Sequence, residues 1–282
     1  QENYSRNEFL FPHCEKELDI YSKYMSSNDV LNIKTMITKI YGINENITLT
    51  HGSEDGLYKL LLYFRSMFSK LIVTDISWDY YKELGKKLNF ELCIIPSYKQ
   101  KVLEPNIEIL EEKITNQHCI IIGLPCNPSG KKYSDKVIKN IIKSKANIIM
   151  DCTYQSPTEF KTTIQQYYKY KNIVFITSFS KYFGLPGLRL GFFLSKNATL
   201  HTNLDLYLGI NITYIRIVNL LLNNLEYYEN IKEKRLNIIR SINKHKFTNF
   251  NIYSNVDYYI LLVFKHYIDD SKISSICNLF NC

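Results

Sequence analysis

The sequence predicts an α/β fold in which a mostly parallel β-sheet lies between two layers of helices, followed by a smaller α+β domain. The main observation is an alternation of short apolar, β-branched segments with amphipathic helical segments, which continues from Ile47 to Ser178. The chain has 282 residues, of which 45% are hydrophobic and 22% are charged, so it can bury a large core. In such a sheet we expect functional residues at the carboxyl ends of the strands.

We expect three parts in the chain. The aromatic, poorly periodic segment 1–29 is predicted to be an amino-terminal arm, and segment 30–205 is predicted to be the large domain. Segment 206–282 is predicted to be a small carboxyl-terminal domain with a long connecting helix, because apolar residues recur at helical spacing from about Tyr214 to His245. Strands at 247–254 and 258–264 and a helix at 271–280 are expected to follow that helix.

The elements of the large domain are predicted in order along the chain. The first helix is capped by Asp29, runs from about Val30 to Tyr41 and ends at Gly42. A second helix begins after Gly52, and later helices are expected to end near residues 88, 114 and 145. A final strand at 188–195 is expected to run antiparallel and close the sheet. The other strands are predicted at 47–50, 71–75, 90–96, 119–124, 147–151 and 172–177.

The charge and cysteine content narrow the class of protein. The formal net charge of +8 comes from scattered lysines without a dense basic run, which argues against nucleic-acid binding but favours an anionic ligand. The seven cysteines form no C-x-x-C pair and indicate reduced thiols in the cytoplasm. The histidines lack metal-ligand spacing, no apolar segment has membrane length, and the first residues are polar. We therefore expect a cytoplasmic protein without a metal site.

The segment from Ser178 to Gly191 is the one around which the other motifs are arranged. It follows the predicted strand 172–177 and places Lys181 between two serines and a glycine-rich loop. We expect this lysine to lie close to the interior, where desolvation favours the neutral amine that a Schiff-base lysine needs. Ser178, Ser180 and Arg189 supply donors suited to a phosphate. A phosphate beside an amine that takes an aldehyde indicates pyridoxal phosphate.

Ser-x-Ser-Lys followed by Gly-Leu-x-Gly-x-Arg-x-Gly resembles the cofactor-binding segment of the fold-type I pyridoxal-phosphate enzymes of the aminotransferase class I/II family. Within that family the chain is most similar to histidinol-phosphate aminotransferases and threonine-phosphate decarboxylases. The resemblance implies transfer of an amino group between a small, anionic amine and a keto substrate. It also implies that Lys181 binds the cofactor covalently and serves as a general base. The similarity covers the whole chain, with specific motifs from Gly52 to Gly191.

Two segments near the start of the large domain resemble further parts of the family's site. Gly52, Ser53 and Glu54 lie between a strand and a helix, where free backbone N–H groups bind phosphate. The resemblance makes them the phosphate-binding turn, although any capped helix after a strand has similar features. Trp78, the only tryptophan, follows the strand 71–75. The resemblance implies that it stacks on the pyridine ring; the alternative is a tryptophan of the core.

Two later strands carry the remaining cofactor residues. Asn127 belongs to an Asn-Pro-x-Gly turn, which is common in itself but here resembles the family turn whose asparagine donates to the cofactor's phenolic oxygen. Asp151 ends an apolar strand, where a carboxylate needs a cationic partner, and the protonated pyridine nitrogen is one. Tyr154 is implied to reach the phenolic oxygen. Cys152 stands where the family usually has glutamate.

The resemblance also implies a homodimer. Tyr24 falls near the position at which the family places a tyrosine that reaches the partner subunit's cofactor phosphate, although Tyr21 is close and a packed aromatic is an equal alternative. The family's small domain has a further strand and helix with a substrate-binding arginine, whereas Arg240 is the last arginine here. We therefore expect an apparently incomplete small domain, and a chain that binds the cofactor but turns over glutamate or amino phosphates poorly unless natural downstream sequence is added.

Three alternatives remain open at the level of sequence. A decarboxylase of an amino-acid phosphate would use the same residues, because the substrate pocket decides which bond breaks. A catalytically silent protein of the same fold is a second alternative, against which the joint presence of Lys181, Asp151 and Arg189 argues. A nucleotide-binding protein with a parallel sheet is the third, but neither a Walker loop nor G-x-G-x-x-G is present.

Overall fold

A computed structural model describes residues 25–97, 105–205, 210–244, 250–253 and 261–264. A seven-stranded sheet organises the large domain. Its strands are β1 (Ile47–Thr50), β2 (Lys70–Thr74), β3 (Glu91–Ile95), β4 (His118–Gly123), β5 (Asn147–Asp151), β6 (Ile173–Ser178) and β7 (Gly191–Ser195). The helices are α1 (Ser27–Tyr41), α2 (Gly52–Arg65), α3 (Asp79–Lys87), α4 (Ile107–Lys113), α5 (Asp135–Lys143), α6 (Pro157–Tyr167), α7 (Ala198–Leu204), α8 (Thr213–Leu222) and α9 (Leu225–Asn243).

The sheet is mostly parallel, as the sequence predicts. Its strand order is β1-β7-β6-β5-β4-β2-β3, and every pairing is parallel except those of β7 with β6 and with β1. The antiparallel strand β7 was expected to close the sheet, but it lies inside it, between β6 and β1. Gly191 permits this position, because any side chain there would meet the backbone of Gly52.

Helices cover both faces of the sheet. Alternate residues of β4 belong to different cores: Ile120 and Ile122 pack with α1, α5, α6 and α8, whereas Cys119 and Ile121 pack with α2 and α3. This alternation is what a strand buried on both faces requires. The three-layer arrangement is therefore confirmed, and it leaves the loops after the parallel strands at one edge, where a site can form.

Several element boundaries differ from the sequence prediction for local reasons. Helix α1 is capped by Ser26 rather than Asp29: the Ser26 hydroxyl accepts from the Asp29 amide (3.2 Å), and the Asp29 carboxylate accepts from the Ser26 amide (2.9 Å). Helix α6 was not predicted, although Ser156, Pro157 and Glu159 form a capping box with proline in the first turn.

The long connecting helix that was predicted from Tyr214 to His245 is two helices. They are separated at Asn223 and Asn224, and the Asn224 side-chain amide donates to the Leu220 carbonyl at 2.7 Å. Asparagine interrupts helices because its side chain competes for backbone partners. Strands β8 (Phe250–Tyr253) and β9 (Leu261–Phe264) form an antiparallel pair, which agrees with the two predicted strands of the small domain.

Some predictions concern residues outside the described ranges. These are the amino-terminal arm before residue 25, including Tyr24, and the helix at 271–280. Within the described ranges, no helix has the length and the apolar character needed to cross a membrane.

Candidate active site

A cavity of about 310 Å³ lies at the carboxyl ends of β4, β5 and β6. Every site residue predicted from the sequence lines this cavity except Gly52, which directly precedes the lining residue Ser53 in the chain. The lining residues are Ser53, Glu54, Trp78, Tyr81, Pro125, Asn127, Asp151, Thr153, Tyr154, Ser178, Ser180, Lys181, Pro186 and Arg189.

Asp151 is the buried acid of this cavity. It ends β5, and only 5% of its surface is exposed. One carboxylate oxygen accepts from the Tyr81 hydroxyl at 2.7 Å, and the other accepts from the Thr153 backbone amide at 3.0 Å. Burial raises the pKa of Asp151, while hydrogen bonds from Thr153 and Tyr81 and the charge of Lys181 act in the opposite direction. Among the described residues this carboxylate forms no salt bridge, so it is suited to a cationic ligand.

Tyr81 lines the cavity although the sequence motifs do not single it out. It lies in the first turn of α3, three residues after Trp78, and is almost fully buried. Burial and the neighbouring carboxylate of Asp151 raise the pKa of Tyr81 well above its usual value, so its hydroxyl keeps the proton that it donates. Trp78 is half-buried, and its ring meets that of Tyr81 edge to face, with centroids 5.6 Å apart. The spacing of the two aromatics at the start of a helix was the available signal.

Asn127 and Tyr154 are brought together by the turns after β4 and β5. The Asn127 side-chain amide donates to the Tyr154 hydroxyl at 3.2 Å. Burial, together with the charge of Asp151, raises the pKa of Tyr154 to about 12, so the phenol stays protonated and can donate in turn. The Leu124–Pro125 and Asn127–Pro128 peptide bonds are both cis. The Asn127 amide and the Tyr154 hydroxyl are thus neighbouring polar groups in the cavity wall.

Lys181 lines the cavity, but its surroundings differ from the sequence expectation. Its ammonium nitrogen lies 5.5 Å from the centroid of the Tyr154 ring, and the residue is exposed rather than close to the interior. The aromatic neighbours Phe179, Tyr182 and Phe183 take the buried positions of this turn. They anchor the turn in the core and leave the lysine at the mouth of the cavity.

The amino end of α2 and Arg189 form one corner of the cavity, which we call the anion-binding corner because its donors suit an anion. Within the described part of the chain no side chain caps α2, so the first amides of this helix remain available, and Ser53 adds a buried hydroxyl. The Arg189 guanidinium contacts the Glu54 carboxylate at 3.0 Å. Gly52 has a φ of +79°, and a Cβ there would lie 3.1 Å from this guanidinium. The absence of a side chain at Gly52 thus leaves room for the Arg189 guanidinium.

Ser178 and Ser180 complete this corner from the end of β6. Ser178 is 1% exposed, and its hydroxyl accepts from the Ser180 amide at 3.4 Å. Hydroxyls, helix amides and a guanidinium are the donors that hold a phosphate. Together with a buried carboxylate, an aromatic face and a primary amine, this set suits a planar cationic ring that carries a phosphate and a group reactive toward amines.

The comparisons with known proteins agree with this chemistry. The chain matches the aminotransferase class I and II family over residues 20–233. A histidinol-phosphate aminotransferase from Pyrococcus furiosus is 23% identical over 203 residues, which cover 72% of this chain and 58% of that protein. Across the curated relatives that it matches, the chain spans about half of their length.

Solved structures share the fold. The histidinol-phosphate aminotransferase from Clostridium acetobutylicum superposes with a TM-score of 0.73 at 20% identity, covering 92% of this chain and 79% of that one. The L-threonine-O-3-phosphate decarboxylase from Porphyromonas gingivalis gives a TM-score of 0.66 at 18% identity, with coverages of 88% and 76%. The chain therefore belongs to the aminotransferase class I and II family, whose cofactor is pyridoxal 5′-phosphate.

Proposed function

We propose that this chain is a pyridoxal-phosphate-dependent transaminase that acts on a small phosphorylated or carboxylated amine. The observation that carries the proposal is the meeting of Lys181 and the buried Asp151 in one cavity with the anion-binding corner of α2 and Arg189. A cavity with a purely structural role would not need an amine nucleophile, a buried acid and a set of phosphate donors together.

The residues present fit the cofactor. Asp151 is buried, and burial raises its pKa, so a protonated ring nitrogen would supply the cation that stabilises its charged form. The α2 amides and Arg189 would hold the phosphate, together with the hydroxyls of Ser53, Ser178 and Ser180. Asn127 and Tyr154 would donate to the phenolic oxygen, and Trp78 would cover one face of the ring. When bound, the cofactor supplies an aldehyde that takes up amines and a ring that accepts electrons.

Lys181 would carry the proton transfers. Its side chain can turn between the covalent attachment point and the substrate, because it is exposed and forms no hydrogen bond or salt bridge with a described residue. With its amine free, Lys181 would hold Nζ where it can take a proton from the α-carbon of a bound amine and give it back. The Tyr154 ring, 5.5 Å away, limits the directions that Nζ can take.

An anionic substrate is supported by charge and by the relatives. The chain has a formal net charge of +8, which raises the local concentration of anions. Related proteins named histidinol-phosphate aminotransferase recur among the matches, at 23% to 28% identity in the examples from Pyrococcus furiosus and Buchnera aphidicola subsp. Cinara cedri. We therefore infer an amine that carries a phosphate or carboxylate as the amino donor.

The decisive experiment maps the lysine. The purified chain is loaded with pyridoxal phosphate and treated with borohydride, and the labelled peptide is identified. We expect the label on Lys181 and none after Lys181→Ala. The matched control is Lys171→Ala, which alters an exposed lysine just before the amino end of β6. A label on another lysine would overturn the assignment.

A second experiment separates transamination from decarboxylation. Histidinol phosphate, L-glutamate and L-threonine O-3-phosphate are each offered without a keto acid, because a keto acid would reconvert the pyridoxamine form, and formation of pyridoxamine phosphate and release of carbon dioxide are both followed. Accumulation of the pyridoxamine form supports the transaminase. Carbon dioxide release without it would indicate a decarboxylase instead.

We also propose that the chain acts as a homodimer. Three apolar side chains of the α2 segment are about half exposed: Tyr58, Leu62 and Met67. Tyr58 and Leu62 continue the helix face that begins at Glu54, so this surface leads directly from the mouth of the cavity. Light scattering after gel filtration should give twice the chain mass, and Leu62→Glu should shift the protein toward the monomer. A monomeric wild-type chain would contradict this proposal.

A further inference from the structure

A second cavity, of about 270 Å³, lies between α5 and α6 on one face of the sheet. Its walls include Leu124 at the end of β4, Lys132 and Asp135 at the start of α5, and Gln155 and Thr163 from the α6 region. Among the residues that the structure describes, it shares no lining residue with the candidate active site. Nothing in the proposed transaminase function uses it.

This cavity has buried polar walls. Gln155 is 3% exposed and Thr163 is 7% exposed, and the Thr163 hydroxyl donates to the Gln155 side-chain oxygen at 3.1 Å. The Gln155 side-chain nitrogen has no hydrogen-bond acceptor among the described residues, although the side chain lines the cavity. This nitrogen is accessible from the cavity, so it can donate to a ligand acceptor there.

The charged groups at the cavity differ in how many hydrogen-bond and salt-bridge partners they have. Glu159 is occupied by Ser156, whose amide and hydroxyl both donate at 3.0 Å, and by Lys132 at 3.1 Å and Lys232 at 3.5 Å. Lys132 keeps further N–H donors beyond this one contact. Asp135 is reached only by the Tyr167 hydroxyl, at 3.5 Å, within the described part of the chain. Lys132, which is paired with Glu159, and Asp135 are both exposed at the cavity, so one cation and one anion can contact a ligand there.

We propose that this second cavity binds a small zwitterion of amino-acid size. A ligand carboxylate would accept from Lys132 and from the Gln155 side-chain nitrogen, and a ligand ammonium would bind Asp135. The volume lies just below the usual range for small-molecule sites, which suits a ligand smaller than most drugs.

The second cavity and the active site lie back to back. Leu124 faces the second cavity and its neighbour Pro125 faces the first; likewise Gln155 faces the second and Tyr154 the first. A ligand that binds Gln155 therefore acts on the turn that positions Tyr154. This coupling rests on the proposed function, whereas the binding itself does not.

Isothermal titration calorimetry on the cofactor-free chain tests the binding. The probes are glycine, L-glutamate and L-histidine, each up to about 10 mM, with acetate and ethylamine as ligands that carry only one charge. We expect at least one zwitterion to bind, and both single-charge probes to bind at least about tenfold more weakly. Failure of all three amino acids to bind overturns the proposal.

Variants locate the site and separate it from the active site. Asp135→Asn and Lys132→Met should each weaken binding by about tenfold or more. Arg189→Lys in the active site and Lys136→Met, an exposed lysine of α5 outside the cavity, should leave it unchanged. Circular dichroism checks that each variant is folded. Binding that survives Asp135→Asn and Lys132→Met but is lost in Arg189→Lys would place the amino acid in the active site and refute the second site, without affecting the proposed transaminase.

Discussion

The hydroxyl of Tyr81 lies 2.7 Å from Oδ2 of Asp151, and it joins the first turn of α3 to the end of β5. Both side chains are buried. Since burial disfavours the charged form of Asp151, the hydrogen bond from Tyr81 is one of the few contacts that favour it. Tyr81 is therefore a positioning residue that acts through Asp151.

Tyr81→Phe should move the pH dependence of cofactor binding. The variant keeps the ring against Trp78 but removes a donor to a carboxylate, a contact worth roughly 1.5–3 kcal/mol. The pKa of Asp151 should rise further, so the acid limb of the binding profile should shift toward neutral pH by about one unit. Tyr80→Phe is the control, since the Tyr80 hydroxyl has no hydrogen bond to a described residue. An unchanged profile in Tyr81→Phe would refute the role.

Arg189→Lys should weaken retention of the cofactor. Lysine keeps the charge but loses the planar pair of donors, so we expect about a tenfold to hundredfold rise in the cofactor's Kd. Dialysis followed by absorbance measures it. The control is Arg65→Lys, because Arg65 lies at the far end of α2 and contacts the Asn89 carbonyl. Equal retention in both variants would mean that Arg189 does not hold the phosphate.

The sheet could be predicted from the sequence because its strands are continuous apolar segments, and such segments have few alternatives to burial between helices. Helix α6 was missed although Ser156 and Glu159 signal its start, because its body is rich in threonine and glutamine rather than clearly amphipathic. The break at Asn223 and Asn224 was missed because the apolar periodicity continues across it.

The candidate site was predictable where it follows strand ends and less so where it depends on packing. Asp151 directly ends a strand. Tyr81, by contrast, is 70 residues away from Asp151 in the sequence, and its hydroxyl reaches the carboxylate only because α3 packs on the sheet. The exposure of Lys181 was mispredicted because the flanking aromatics compete for the buried positions in the same turn, a competition that tertiary structure decides.

His201 should make stability depend on pH. It is buried, its Nδ1 lies 2.8 Å from the Thr48 hydroxyl, and burial lowers its pKa, with the nearby Lys34 and Asp205 acting in opposite directions. The unfolded state therefore binds the proton more readily. The stability that neutral His201 contributes is present above its unfolded pKa of about 6.5 and is lost as the pH falls through the lower folded value.

Urea unfolding at a series of pH values from about 7 to 5 measures this loss. The free energy of unfolding should decrease toward pH 5, and the decrease should be smaller in His201→Gln. The same slope is measured in His118→Gln for comparison, because His118 is only partly buried and burial lowers its pKa as well. If His201→Gln retains the full slope, the buried histidine is not its source.

Gly191→Ala should damage both the fold and the anion-binding corner. A Cβ at this position would lie 2.8 Å from the Gly52 carbonyl carbon and 2.8 Å from the Thr177 carbonyl oxygen. Both are backbone atoms, so β7 must move away from β6 or from the turn that begins α2. We expect a loss of about 1–3 kcal/mol in the free energy of unfolding, as for other overpacked sites. Because Gly52 opens the helix whose amides face the cavity, cofactor retention should fall with it.

Gly187→Ala is the matched control four residues away. A Cβ there meets no described atom within 4 Å, and Gly187 does not have a positive φ. The stability and cofactor retention of Gly187→Ala should therefore stay near those of the wild-type chain. Urea unfolding and dialysis are measured on both variants in parallel. If Gly191→Ala is as stable as Gly187→Ala but still releases the cofactor, the close approach of β7 to Gly52 shapes the site alone. If the two variants have the same stability and the same cofactor retention, the close approach of β7 to Gly52 contributes to neither property.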